Sequence, residues 1–281
     1  MDYSTRLRND LKAQRKRQIR LEARTEKEFE KFCTKYHRWV EDERNANRAP
    51  LTILAEGDSW FRYPVGFGVI YQLEKLLDLE ILNLASAGDE SGDMLSIRQK
   101  KRLVRELKSG PARRMKYDYL LFSAGGNDLV GADRFHKWLH PYVPGMKASD
   151  VINSRALGIA FAMLELNYNE LIEIRDTHSP STKLVFHSYD LAIPDGRGVC
   201  GRGPWMKPGL DLRNIPDKLR REVVALFLKE FDQTLRAIAQ SHANIIVIET
   251  QGTLVDSEWA NELHPRNVGF KKIAQQFALS L

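Results

Sequence analysis

The chain has 281 residues but only two cysteines, Cys33 and Cys200. Neither has another cysteine near it, so free thiols are expected rather than a disulfide framework or a thiolate metal site. No apolar run is long enough to span a bilayer, and no apolar stretch near the N-terminus reads as a secretory leader. A cytoplasmic protein with no membrane span is the plain expectation. Glycine and proline are absent between residues 4 and 46. That absence excludes tight turns there and, with abundant Arg, Lys, Glu and Ala, predicts a long helix. A one-signed charge field is also missing from most of the chain. Residues 1–50 carry 14 Lys and Arg against 9 Asp and Glu, a surplus of 5. The other 231 residues carry 29 against 28, so they contribute only 1 to the net charge of +6. Internal repeats and low-complexity tracts are lacking as well.

The N-terminal helix changes character halfway. Phe29, Phe32, Cys33, Tyr36, Trp39 and Val40 recur at spacings of three and four, an apolar stripe suited to docking on a protein surface or on a second copy. Before residue 26 apolar residues are sparse, and Arg15-Lys16-Arg17 and Arg20 dominate. Interleaved Glu22, Glu26, Glu28 and Glu30 weigh against a nucleic-acid contact and favour a solvated extension. The expected organisation is a basic helical extension over 1–48 and a larger domain over 49–281.

Within that domain, strands are predicted at Leu51–Leu54, Glu80–Leu84, Tyr117–Ser123, Lys183–His187 and Asn244–Ile248. Helices are predicted over 69–78, 94–108, 151–176 and 216–240, with a short one after Phe270. The stretches 129–150 and 190–215 are irregular, and a loop as long as the second is often functional. Alternating strands and helices imply a parallel sheet covered on both faces.

Four strand-to-turn junctions hold the chemistry-bearing residues. Leu51 to Leu54 lead into Glu56-Gly57-Asp58-Ser59, where Gly57 permits a sharp turn and Asp58 and Ser59 suit a helix start. Asn83-Leu84-Ala85-Ser86-Ala87-Gly88 follows the second strand. Ser123-Ala124-Gly125-Gly126-Asn127-Asp128 follows the third. Glu262-Leu263-His264-Pro265 precedes Gly269 and the last helix. Each alone reads as an ordinary turn or cap. Together and in this order they resemble the four sequence blocks of the SGNH (GDSL-like) hydrolase superfamily, over roughly residues 51 to 281.

The resemblance implies a three-layer α/β/α domain with a five-stranded flavodoxin-like parallel sheet, and a serine ester hydrolase that needs no cofactor or metal. A serine hydroxyl needs a base, and His264 is the candidate among seven histidines. By resemblance the oxyanion donors are the backbone N–H groups of Ser59 and Gly88 and the side-chain amide of Asn127. Where the family usually has an aspartate three residues before the histidine, this chain has Asn261. Asn261 or a backbone carbonyl is expected to orient His264, with Glu258 as the alternative acid. Glu262, two residues from the histidine, is expected to point away. His187 is read as a rim residue, and Asp58 and Asp128 as acceptors for loop amides. Aromatic residues of the loops, including Trp60, Phe61, Tyr63 and Trp205, are expected at a substrate rim or in a minor core. Acetyl-sugar, short-chain, lipid and thioester substrates stay open. The competing reading is a catalytically silent module of this fold that binds a partner through the basic helix.

Overall fold

The computed structural model describes residues 26–63, 67–131, 133–199 and 201–281. The expectations for residues 1–25, including the basic cluster at Arg15 to Arg20, lie outside them. The chain divides into two compact units, Met1–Pro50 and Leu51–Leu281. In the first, α1 (Glu26–Asn45) is helical throughout, as its lack of glycine and proline predicts.

The second unit is built on five parallel strands, β1 (Ile53–Gly57), β2 (Leu82–Asn83), β3 (Tyr119–Ser123), β4 (Lys183–His187) and β5 (Ile245–Ile248). Their order across the sheet is β2-β1-β3-β4-β5. Tyr119-Leu120-Leu121-Phe122-Ser123 is buried along its whole length. Such a run, apolar on both sides, needs cover on both faces. Helices α2 (Val69–Leu77) and α9 (Asn267–Ala278) pack together, while α4 (Ile97–Ser109), α6 (Ser154–His178) and α8 (Asp217–Ser241) form the other layer. The expected helix over 94–108 begins earlier and is interrupted, with α3 (Ser91–Met94) ahead of α4. Asp93 and Ser96 prefer capping positions to a helix interior, and the two pieces meet there.

The connection out of β1 leads to one edge of the sheet, and the connection out of β2 returns across it to β3. The strand order therefore reverses between β1 and β3, and the crevice beyond their carboxyl ends is where open α/β sheets hold ligands. β1 runs three residues further than the expected end at Leu54. Glu56 does not end it, because the buried carboxylate accepts the Gly57 N–H at 2.9 Å. Gly57 lies opposite Ser123, and a Cβ on it would come within 2.8 Å of the Ser123 Cβ. Only glycine lets β1 and β3 stay paired up to the crevice.

Candidate active site

Ser59 leaves β1 on a tight turn rather than on a helix start. Phe61 and Arg62 donate backbone N–H bonds back to the Asp58 carbonyl, and α2 begins only at Val69. The expected helix opening at Asp58-Ser59 is thus replaced by a self-closed turn. Aromatic anchors hold it: Trp60 Nε1 donates to the Leu263 carbonyl at 2.9 Å, and the Trp60 and Phe61 rings stack on His187.

His264 approaches from the other end of the chain. Its turn is closed by bonds from Ala260 N–H to the His264 carbonyl and from Arg266 N–H to the Glu258 carbonyl. Gly269 lets α9 pack on this turn, since a Cβ there would meet the Pro265 Cβ at 2.8 Å. The Ser59 Oγ lies 2.7 Å from His264 Nε2, and His264 Nδ1 lies 3.0 Å from Asn261 Oδ1. Asn261 Oδ1 also accepts the backbone N–H groups of Leu263 and His264, both at 3.0 Å. An atom that receives two backbone donors is the amide oxygen, and an oxygen can only accept. His264 therefore carries its proton on Nδ1 and turns a bare Nε2 to the serine hydroxyl. Asn261 in turn donates from Nδ2 to the Tyr63 hydroxyl at 3.3 Å, and the Tyr63 ring packs against the imidazole. Burial pushes the His264 pKa down to about 4, because no carboxylate stands beside the ring to offset its lost hydration.

Glu258 is engaged elsewhere. Its carboxylate pairs with Lys272 Nζ at 2.6 Å and accepts the Val255 N–H. Glu262 points away, as expected, but not into solvent. It is fully buried, and its two oxygens accept the backbone N–H groups of Gly196, Trp205, Met206 and Lys207 at 2.5 to 3.0 Å. This one carboxylate pins the long 190–215 segment against the histidine turn and anchors α7 (Lys207–Leu212), a helix within a stretch expected to be irregular.

Asn127 sits in a one-turn helix, α5 (Gly126–Leu129), directly beyond β3. One hydrogen of its amide is committed to the Asp89 carbonyl at 2.8 Å, which leaves the second for another acceptor. Gly88, one residue earlier than Asp89, has φ +89, and the space where its side chain would stand is open. The left-handed backbone, rather than crowding by a neighbour, accounts for glycine there. Asp128 binds the backbone and hydroxyl of Ser91, which ties the second and third junctions together.

A second polar line runs beneath Ser59. His187 is not a rim residue but fully buried. Its Nε2 lies 2.8 Å from Ser123 Oγ, and Ser123 donates to Asp58 Oδ1 at 2.9 Å. Tyr189 donates to Asp58 Oδ2 at 2.5 Å, and Trp60 N–H to Oδ1 at 2.9 Å. The donors run one way, so His187 holds its proton on Nε2, and its Nδ1 faces the Tyr189 N–H. Burial drives His187 down to about 3, and burial also pushes Asp58 up to about 6, against its three donors. Tyr189 takes φ +58, a conformation a tyrosine seldom holds without tight surroundings. Trp60, Phe61, Tyr63 and Tyr189 are buried supports of the site, whereas Phe67 is exposed and Trp205 half-buried. Neither His187 nor Tyr189 carries a motif; the only signal was that β4 ends beside β3.

Ser59, His264 and Asn127 line one cleft. Among the described residues no helix is long and apolar enough to cross a membrane.

No family model matches the chain, and no curated protein matches it by sequence. Solved structures do match. The lipase Lip_vut3 from a goat rumen metagenome is 18% identical, with a TM-score of 0.53 over 82% of this chain and 97% of the other. An extracellular lipase from Streptomyces rimosus is 16% identical, with a TM-score of 0.52 over 83% of this chain and 100% of the other. A protein described as an SGNH hydrolase, from Slackia heliotrinireducens, is 13% identical, with a TM-score of 0.50 over 82% of this chain and 97% of the other. At such low identity the likeness is one of fold, and it spans nearly the whole of each relative. The chain has the fold of the SGNH (GDSL-like) hydrolase superfamily.

Proposed function

We propose that the chain is a serine ester hydrolase in which Ser59 is the nucleophile and His264 its base. The observation that carries this reading is the 2.7 Å contact between Ser59 Oγ and a His264 Nε2 whose other nitrogen is bonded to Asn261. Ser59 Oγ attacks the ester carbonyl carbon while its proton passes to Nε2. The oxyanion is held by the backbone N–H of Ser59 and of Gly88 and by the free amide hydrogen of Asn127. The tetrahedral intermediate collapses, the carbon–oxygen bond to the alcohol breaks, and Nε2–H protonates the leaving oxygen. Water then attacks the acyl-enzyme, gives its proton to Nε2, and releases the acid with Ser59 restored. Asn261 fixes the productive tautomer without charge, a positioning role. The shared fold with proteins named as lipases supports an ester as the substrate.

A serine-directed alkyl phosphonate should add one mass increment at Ser59 and abolish ester hydrolysis. Full activity in Ser59→Ala would remove the basis of this reading.

A further inference from the structure

The cleft is chemically lopsided. Its lining joins the polar residues Ser59, His264 and Asn127 to a larger apolar set. The apolar set comes from the short helix after β3, the segment that follows it, and one face of α8. Val224, Phe227, Leu228 and Phe231 fall at positions i, i+3, i+4 and i+7 of α8, so they form one continuous stripe along the wall. Leu129, Val130 and Met206 line the same cleft, and the Phe135 ring packs on Phe227 of that stripe at 5.2 Å between centroids. The Phe231 ring lies where a side chain on Gly125 would be, which brings the stripe up against the turn that carries Asn127.

Two carboxylates also line the cleft, yet neither offers it a free charge. Asp58 is taken up by Trp60, Ser123 and Tyr189. Asp190 accepts the backbone N–H groups of Leu191, Gly252 and Leu254. No side chain in the inner part could bind the hydroxyls of a sugar, and Val224, Phe227 and Phe231 are largely withdrawn from water. A groove of this kind gains by burying methylenes and penalises buried hydroxyls.

We propose that this inner groove receives the acyl chain of the substrate, which makes the enzyme selective for esters of medium-length apolar acids over acetyl esters. The inference rests on Ser59 acting as the nucleophile. The carbonyl then sits at the polar end, the chain runs along the α8 stripe, and the alcohol part stays at the open mouth. Acyl length is thus set by α8, and Val224 and Leu228 are the specificity-determining positions.

The test is kcat/KM for p-nitrophenyl acetate, butyrate, hexanoate, octanoate and palmitate, with Ser59→Ala as background. Burying each methylene contributes at most about fourfold, so a rise of at least tenfold from acetate to hexanoate or octanoate is expected. Val224→Phe, which narrows the groove, should lower the octanoate-to-acetate ratio at least tenfold. Leu228→Gln, which places an amide on the wall, should lower the same ratio, and each variant is checked for a native thermal transition. The unmutated series decides by itself if both variants misfold. Ser59-dependent hydrolysis that is flat or falls with chain length overturns the groove's role and leaves the hydrolase reading intact. An absence of Ser59-dependent hydrolysis of every ester overturns both.

Discussion

Asn261→Asp asks how this site works without a carboxylate beside its histidine. The substitution is nearly isosteric, and its surroundings already suit an anion. Oδ1 would keep the Leu263 and His264 N–H bonds at 3.0 Å, and the Tyr63 hydroxyl could rotate to donate to the new oxygen. A carboxylate so placed has its charge about 4 Å from the imidazole. At an effective dielectric near 20 that attraction is about 4 kcal/mol, equivalent to about three pK units. Desolvation of the new charge takes back part of this, so a rise of one to three units is expected. His264 starts at about 4, and a base must be neutral to act. The acid limb of kcat/KM should therefore lie near pH 4 in the unmodified enzyme and between about 5 and 7 in Asn261→Asp. Rates are best followed in a pH-stat with a hexanoyl ester, which avoids the titration of nitrophenol. Asn261→Ala removes the acceptor for Nδ1–H and should lower kcat by at least an order of magnitude. Glu258→Gln should change it little. An acid limb that does not move in Asn261→Asp would refute the assignment of Asn261 as the partner of Nδ1. Collapse in Glu258→Gln with normal Asn261→Ala would refute it from the other side.

Other predictions bear on the supports of the site. Asn127→Ala should lower kcat by on the order of 10²–10³ with little change in KM, and a change confined to KM would make Asn127 a substrate-binding residue. His187 is held neutral near 3, so the unfolded chain takes up a proton below about pH 6.5 that the folded one refuses. Stability should fall as pH drops from about 6.5 toward 3, by up to about 5 kcal/mol. Asp58, raised to about 6, works the other way. It contributes stability that is complete below about pH 4 and lost as pH rises through 6, so it offsets part of the histidine's slope. Thermal melts from pH 4 to 7 should show a flatter acid side in His187→Gln, and an unchanged slope would mean that other groups carry the acid lability. Glu262→Gln sets an amide N–H₂ against backbone donors and should cost on the order of 3 kcal/mol. A melting temperature like that of the unmodified protein would show that the 196–207 segment holds itself.

Much of this architecture can be read from residue order, and the exceptions share a cause. Apolar runs mark β1, β3 and β4 because a strand covered on both faces needs them. Ser59 and Asn127 are visible because they follow turn glycines beyond β1 and β3, His264 because it precedes Pro265, and Asn261 by its place three residues before that histidine. His187 looked like a rim residue because it closes a strand. Its burial depends on Trp60 and Phe61 folding back over it, which the Ser59 turn dictates and a helix start would not. The end expected at Leu54 is too early because the Glu56 carboxylate, bonded to its own neighbour's N–H, can be buried in the sheet. Glu262 carries no local pattern at all. Its four partners lie 55 to 66 residues away, and only the folded chain shows why a buried glutamate stands beside the histidine.

A neutral Asn261 also shifts the balance between the two tasks of His264. An imidazole with a pKa near 4 is a weak base toward the serine proton, but its conjugate acid is a strong donor toward a departing alkoxide. Attack by Ser59 is then the harder step, and expulsion of the alcohol the easier one. The oxyanion donors must carry more of the stabilisation in that first step, since no carboxylate steadies the imidazolium that forms with it. Rates within a series of esters of one acid should accordingly depend only weakly on the acidity of the alcohol. In Asn261→Asp the stronger base and weaker acid should steepen that dependence. A steep dependence in the unmodified enzyme would mean that loss of the alcohol limits the rate, and that His264 is a stronger base in the substrate complex than its burial in the free protein implies.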